Sequence, residues 1–196
     1  MHEQQNTSNN KQQNKQTMKR VQVVDKEFNL YIPEEAIKAR IEEIAADIRK
    51  DLAGKNPLFI IVLNGAFVFA ADLLRATDIP CEINFIRLSS YEGTNSTGKM
   101  KNIIGLNENI EGRSVVIVED IIDTGFTMQY MCDMIRKGNP AEVRIASLVV
   151  KPGKLQVDIK ADYKCFDIDN DFIVGYGLDY DGYGRNLKDI YKLAEN

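Results

Sequence analysis

Residues Ser114–Met128 read SVVIVEDIIDTGFTM, and the fold is decided there. Val115–Val118 is a β-branched run, set off upstream by Glu111-Gly112-Arg113, which is the composition of a short buried strand. Polarity then inverts. Glu119, Asp120 and Asp123 arrive together, and Thr124-Gly125-Phe126-Thr127 opens a helical pattern at Met128, Met131, Met134 and Ile135. A strand that enters a helix through hydroxyl residues and a glycine forms a cup of backbone N–H donors, which suits a phosphate. Carboxylates beside that cup would repel a bare phosphate. A ribose reconciles the two by giving its hydroxyls to the acids while its 5′-phosphate sits among the amides; a divalent cation can also bridge the charges.

Outward from this stretch, 196 residues at 44% hydrophobic content suffice for one α/β domain and little more. The net charge of −4, with basic residues scattered, argues against nucleic acid as a partner. Cys81, Cys132 and Cys165 form no CxxC pair, which suggests reduced core thiols and a cytoplasmic location. The only histidine is His2, so Ser-His-Asp, Cys-His and His-ligated metal chemistries are close to excluded. Acid–base work falls to carboxylate, lysine or tyrosine. No apolar run reaches the length of a membrane span.

Residues 1–20 form a Gln/Asn-rich tail that lacks the apolar residues to bury, and they are expected to be disordered; 21–196 reads as a single domain. Pro33 begins a helix with Ile37, Ile41, Ile44, Ala45, Ile48 and Leu52 at helical spacing and Gly54 as its stop. Leu58–Leu63 is a continuous apolar strand, Asn64-Gly65 a tight turn, and Ala66–Arg75 a helix. Cys81–Leu88 alternates as a strand, 89–101 reads as a long polar loop, Glu142–Val150 as a further strand, and 151–170 as irregular. Strands alternating with helices predict a central parallel sheet flanked by helices, with sites at the strands' C-terminal ends. Gly93–Lys99 matches GxxxxGK, but Met100 stands where a nucleotide-binding loop needs Ser or Thr, and no helix pattern follows.

The Glu119-Asp120-x-x-Asp123-Thr124-Gly125-x-Thr127 pattern resembles the phosphoribosyl diphosphate (PRPP) motif of type I phosphoribosyltransferases. From about Asn29 onward the order of features is similar to the hypoxanthine-guanine branch. The resemblance implies that fold, with a small hood built from the N- and C-terminal parts of the ordered chain. It also implies a purine-salvage enzyme that transfers phosphoribosyl from PRPP to N9 of hypoxanthine, and of guanine, giving IMP or GMP and pyrophosphate. Magnesium and assembly as a homodimer or homotetramer are implied with it.

Residue by residue, the resemblance assigns Glu119, Asp120, Ile122, Asp123, Thr124, Gly125, Phe126 and Thr127 to PRPP and nucleotide. It gives Lys151, Phe172, Ile173 and Asp179 to the purine, Asn64, Gly65 and Arg185 to pyrophosphate, and Ser90-Tyr91 to a closing lid. Glu119, Asp120 and Asp179 are the implied metal ligands. The turn at Leu63-Asn64-Gly65 often carries a cis peptide in that family. With no histidine outside the tail, Asp123 is the choice for the N7 proton. The chain departs from the family pattern in three places: Asn64 replaces a common Lys, Phe126 a residue that is polar in several relatives, and 152–163 lacks an arginine, so that a further pyrophosphate contact of some relatives is absent here or falls to Lys154. The alternative is a regulator that keeps the fold as a ligand sensor without turnover. It predicts a basic surface and a winged-helix segment, and the sequence shows neither.

Overall fold

The computed structural model describes residues 19–90, 100–104 and 108–195. Two sheets organise them. The larger is six-stranded, built from β3 (Leu58–Leu63), β4 (Glu82–Ser90), β5 (Met100–Ile104), β6 (Ser114–Ile122), β7 (Glu142–Val150) and β8 (Tyr163–Asp167), in the order β5-β4-β3-β6-β7-β8. All neighbours are parallel except β4 and β5. The expected 89–101 loop is therefore shorter, because both its flanks pair as an antiparallel hairpin. The strand at Met100 also removes the helix that a nucleotide-binding loop would need.

Both faces of this sheet are covered, which is why β3 and β6 read as unbroken apolar runs. Phe59, Ile61, Val116 and Val118 face α1 (Glu34–Leu52) and α2 (Phe67–Thr77), meeting Ile37, Ile41, Ile44, Phe69 and Leu73. Leu58, Ile60, Val115 and Ile117 face α3 (Phe126–Arg136), meeting Met128, Met131, Cys132 and Ile135. Pro33 caps α1 without a side-chain bond of its own; Asp189 supplies it, its Oδ1 accepting from the Glu34 amide at 2.9 Å. Gly54, at φ 78°, lies just past the last turn as the sequence predicts.

One expectation is corrected. The 151–170 stretch contains β8, an edge strand whose Tyr163 and Cys165 are buried on one face only, too short a pattern to register as a period. In β4, Ile83 and Phe85 are exposed and Ile86 is buried.

The smaller sheet joins β1 (Arg20–Val23), β2 (Lys26–Ile32), β10 (Ile190–Leu193) and β9 (Ile173–Val174) in the order β1-β2-β10-β9, all antiparallel. It is the hood expected from the two ends of the ordered chain. Its own core is Val23, Phe28, Val174 and Tyr191. Among the described residues, no helix is long and apolar enough to cross a membrane.

Candidate functional site

Parallel strands end at a common edge, so β3, β6 and β7 deliver their following loops to one place. β6 and β7 pair as far as Ile122 with Val150, which puts the 123–125 turn beside Lys151. That proximity is fixed by backbone bonds from Lys151 N–H to Ile122 O (2.9 Å) and from Gln156 N–H to Thr124 O (2.9 Å).

Gly125 takes φ 87° as the N-cap of α3, and an added Cβ there would lie 2.7 Å from Val157 Cγ2. Only glycine fits that position. The first intrahelical bond of α3 runs from Gln129 N–H to Gly125 O, so the amides before it are free for a ligand. They open on a cavity of about 230 Å³ lined by Glu119, Ile121, Ile122, Asp123, Thr124, Gly125, Thr127 and Met128. Phe126 points outward, 49% exposed, so at this position the chain contributes its amide and not its ring.

Glu119 is buried at the end of the β6 apolar run. Burial, and then the neighbouring Asp120 charge, push its carboxyl well above the usual carboxylate range. Asp120 is raised by burial too, against bonds from its surroundings and the Arg185 charge. Each acid accepts from the next amide: Asp120 N–H to Glu119 Oε1 at 3.1 Å, Ile121 N–H to Asp120 Oδ1 at 2.8 Å. Two adjacent desolvated carboxylates form a donor set suited to sugar hydroxyls or to a hard divalent cation.

The β3 turn closes on this pair. The Leu63–Asn64 peptide is cis, and a Cβ on Gly65 would fall 1.5 Å from Asp120 Oδ2. Gly177, which sequence reasoning left without a role, presses in from the other side: its Cβ would meet Gly65 O at 2.1 Å. Arg185 binds Gly177 O through Nη1 at 2.7 Å and Asp179 Oδ1 through Nη2 at 2.7 Å. Asp179 Oδ2 accepts from Gly182 N–H at 2.7 Å, so both oxygens of that acid are already engaged within the loop. The described residues contain no group of three or more His, Cys, Asp or Glu side chains placed to hold a metal.

Lys151 is buried, which pushes its ammonium down, while Asp123 pulls it up, Lys154 opposes, and Asp171 adds a further pull upward. The last contribution links it to the segment carrying Phe172. Phe172 is 44% exposed, with its ring 6.1 Å from Phe28 and 5.8 Å from Tyr180, the latter edge-on at 89°. Tyr180 Oη in turn donates to Asp25 Oδ1 at 2.9 Å. Ile173 is buried in β9, and the neighbouring Phe172 O is taken by Leu193 N–H. Lys154 Nζ lies 3.0 Å from Asp123 Oδ2. Ser90 ends β4, and Tyr91 lies outside the described residues, as does Gly93–Lys99.

The geometry has counterparts among known proteins. Residues 31–181 match the phosphoribosyl transferase domain family. The chain is 46% identical over 163 residues to a hypoxanthine-guanine phosphoribosyltransferase of Streptococcus thermophilus, covering 83% of this chain and 91% of that one. It is 47% identical, over the same shares, to the enzyme of that name from Streptococcus agalactiae. Among solved structures, a Bacillus anthracis hypoxanthine-guanine phosphoribosyltransferase with HEPES in its active site gives a TM-score of 0.79 at 38% identity, over 85% of this chain and 96% of that one. A Trypanosoma cruzi hypoxanthine phosphoribosyltransferase in complex with the product IMP gives 0.79 at 39%, over 84% and 93%.

Proposed function

Because the chain belongs to the hypoxanthine-guanine phosphoribosyltransferases, we propose that it transfers phosphoribosyl from PRPP to N9 of hypoxanthine and of guanine, releasing pyrophosphate. The observation that carries this reading is one cavity lined by the buried Glu119 near the end of β6, by Asp123, and by the free amides of an 11-residue helix. That is a place for a ribose with a 5′-phosphate. The regulator reading has no support in these relatives.

In the reaction, N9 of the base attacks the ribose anomeric carbon while the bond to pyrophosphate breaks, its electron pair leaving with pyrophosphate. Amides of 125–128, with the hydroxyls of Thr124 and Thr127, hold the 5′-phosphate; Glu119 and Asp120 hold the ribose hydroxyls. Asn64 and Gly65 offer backbone groups to the pyrophosphate, and Arg185 offers its forked donors. Phe172 stacks on the purine, Lys151 donates to its six-position oxygen, and main-chain groups at Ile173 read its edge. Asp123 accepts the N7 proton as N9 bonds to carbon.

Glu119 and Asp120 would hold a magnesium ion, with Asp179 as the further acid that the family resemblance implies, and the ion would supply charge neutralisation on the leaving pyrophosphate. The Ser90-Tyr91 segment serves as lid, excluding water from PRPP. Assembly as a homodimer or homotetramer fits the family, and exposed Ile83 and Phe85 on β4 leave apolar surface for it. A cytoplasmic location fits unpaired Cys81, Cys132 and Cys165.

Incubation with PRPP, magnesium and hypoxanthine is expected to yield IMP and pyrophosphate in equal amounts. PRPP binding with no product from any purine would remove the activity and leave the fold.

A further inference from the structure

Lys154 has no place in the reaction as set out so far, yet its ammonium lies 3.0 Å from Oδ2 of Asp123. Both side chains are partly exposed, at 35% and 41%, and a pair in that setting adds little to stability. Its consequence is geometric. The other oxygen of Asp123, Oδ1, is shut off from solvent and has no hydrogen-bond partner. The exposed part of the carboxylate is therefore the Oδ2 side, the side Lys154 holds.

The segment that carries Lys154 is itself fixed to the loop that carries Asp123. Pro152–Lys154 forms one 3₁₀ turn, closed by Lys154 N–H to Lys151 O at 3.0 Å. On either side of it, Lys151 N–H and Gln156 N–H bind Ile122 O and Thr124 O, and Val157 and Leu155 fill the space over Gly125. The cation is thus delivered to the acid by backbone, not by a freely swinging side chain alone.

We propose that Lys154 is a positioning residue for proton transfer: it fixes the Asp123 side chain so that Oδ2 is the oxygen offered to the purine. One lone pair of Oδ2 takes the Lys154 ammonium, and another stays free for the N7 proton. As N9 bonds to the anomeric carbon and pyrophosphate leaves, the N7–H bond breaks and the proton passes to Oδ2. Lys154 touches neither base nor sugar in this arrangement. The inference rests on the reading that Asp123 takes the N7 proton.

The test is steady-state kinetics of the full chain for Lys154→Met, Lys154→Arg, Asp123→Asn and the double variant Asp123→Asn/Lys154→Met, with thermal unfolding to confirm folding. Lys154→Met is expected to lower kcat by about tenfold, with KM for PRPP and for hypoxanthine within about twofold, as loss of alignment and not of binding. Lys154→Arg should recover most of the rate, and Lys154→Met should add nothing once Asp123 is Asn. A raised KM for PRPP at unchanged kcat would overturn the proposal and make Lys154 a phosphate contact. Unchanged kinetics in Lys154→Met, or a full additional loss in the Asp123→Asn background, would overturn it as well. Near-normal turnover by Asp123→Asn alone would instead bring down the Asp123 reading, and the Lys154 proposal with it.

Discussion

Gly65 lies against the Asp120 carboxylate so closely that a Cβ would sit 1.5 Å from Oδ2. The turn after β3 and the Asp120 carboxylate are thus one unit, although 55 positions separate them (120 − 65). Gly65→Ala has to displace Asp120 or the turn. It is expected to lower kcat/KM for PRPP by ~10²-fold, the scale of a 1 Å misalignment. Steady-state rates at varied PRPP decide; wild-type values would mean that Asp120 can swing aside without loss.

Arg185 ties the same unit to the C-terminal loop through Gly177 O and Asp179. An alanine there removes both bonds, and a lysine cannot span both as a planar fork does. Arg185→Ala is expected to raise KM for pyrophosphate in the reverse reaction by about tenfold or more, and Arg185→Lys to recover only part of that. Equal values for Lys and Arg would show that charge alone is used.

Phe172 owes its ring orientation to Phe28 and Tyr180. Phe172→Ala should raise KM for hypoxanthine by about tenfold, the size of a lost stacking contact, with KM for PRPP unchanged. Tyr180→Phe keeps the edge-on ring and loses only the bond to Asp25, so base KM should stay within about twofold. A shift in PRPP KM for Phe172→Ala would place that ring elsewhere in the site.

These residues also mark what a sequence discloses. β3, β6, β7, α1 and α3 were legible because a doubly covered sheet writes unbroken apolar runs and an amphipathic helix writes its period. The turn into α3 was legible because glycine and hydroxyl residues stand together in Thr124–Thr127. What stayed hidden depends on distant partners: Asp189 capping α1, Gly177 packed on Gly65, Lys154 on Asp123, and Phe28 and Tyr180 around Phe172. None leaves a local period. β8 and β10 were missed because they are short and lean on one neighbour or two for their identity.

At the other end of the sheet, Glu142 gathers Ser114 Oγ, Lys55 Nζ and Arg144 Nε. Burial pushes its carboxyl up, but those bonds outweigh it and hold it down at about 2, against 4.5 when free. A depressed carboxylate stabilises the fold fully above its unfolded value, and that contribution is lost as pH falls from about 4.5 towards 2. Glu142→Gln is expected to destabilise at neutral pH by about 1 kcal/mol, or 2–4 °C in Tm, and to converge on wild type by the acid end of that window. A constant difference at every pH would mean that the carboxylate charge is not what matters.

The most direct measurement is the rate of nucleotide formation from PRPP and magnesium with hypoxanthine, guanine and adenine supplied separately. The buried Lys151 ammonium suits a six-position oxygen and not the amino group of adenine, so the account predicts IMP and GMP and little or no AMP. Turnover of adenine on a par with hypoxanthine would contradict the base reading, and product from none of the three would contradict the reaction itself.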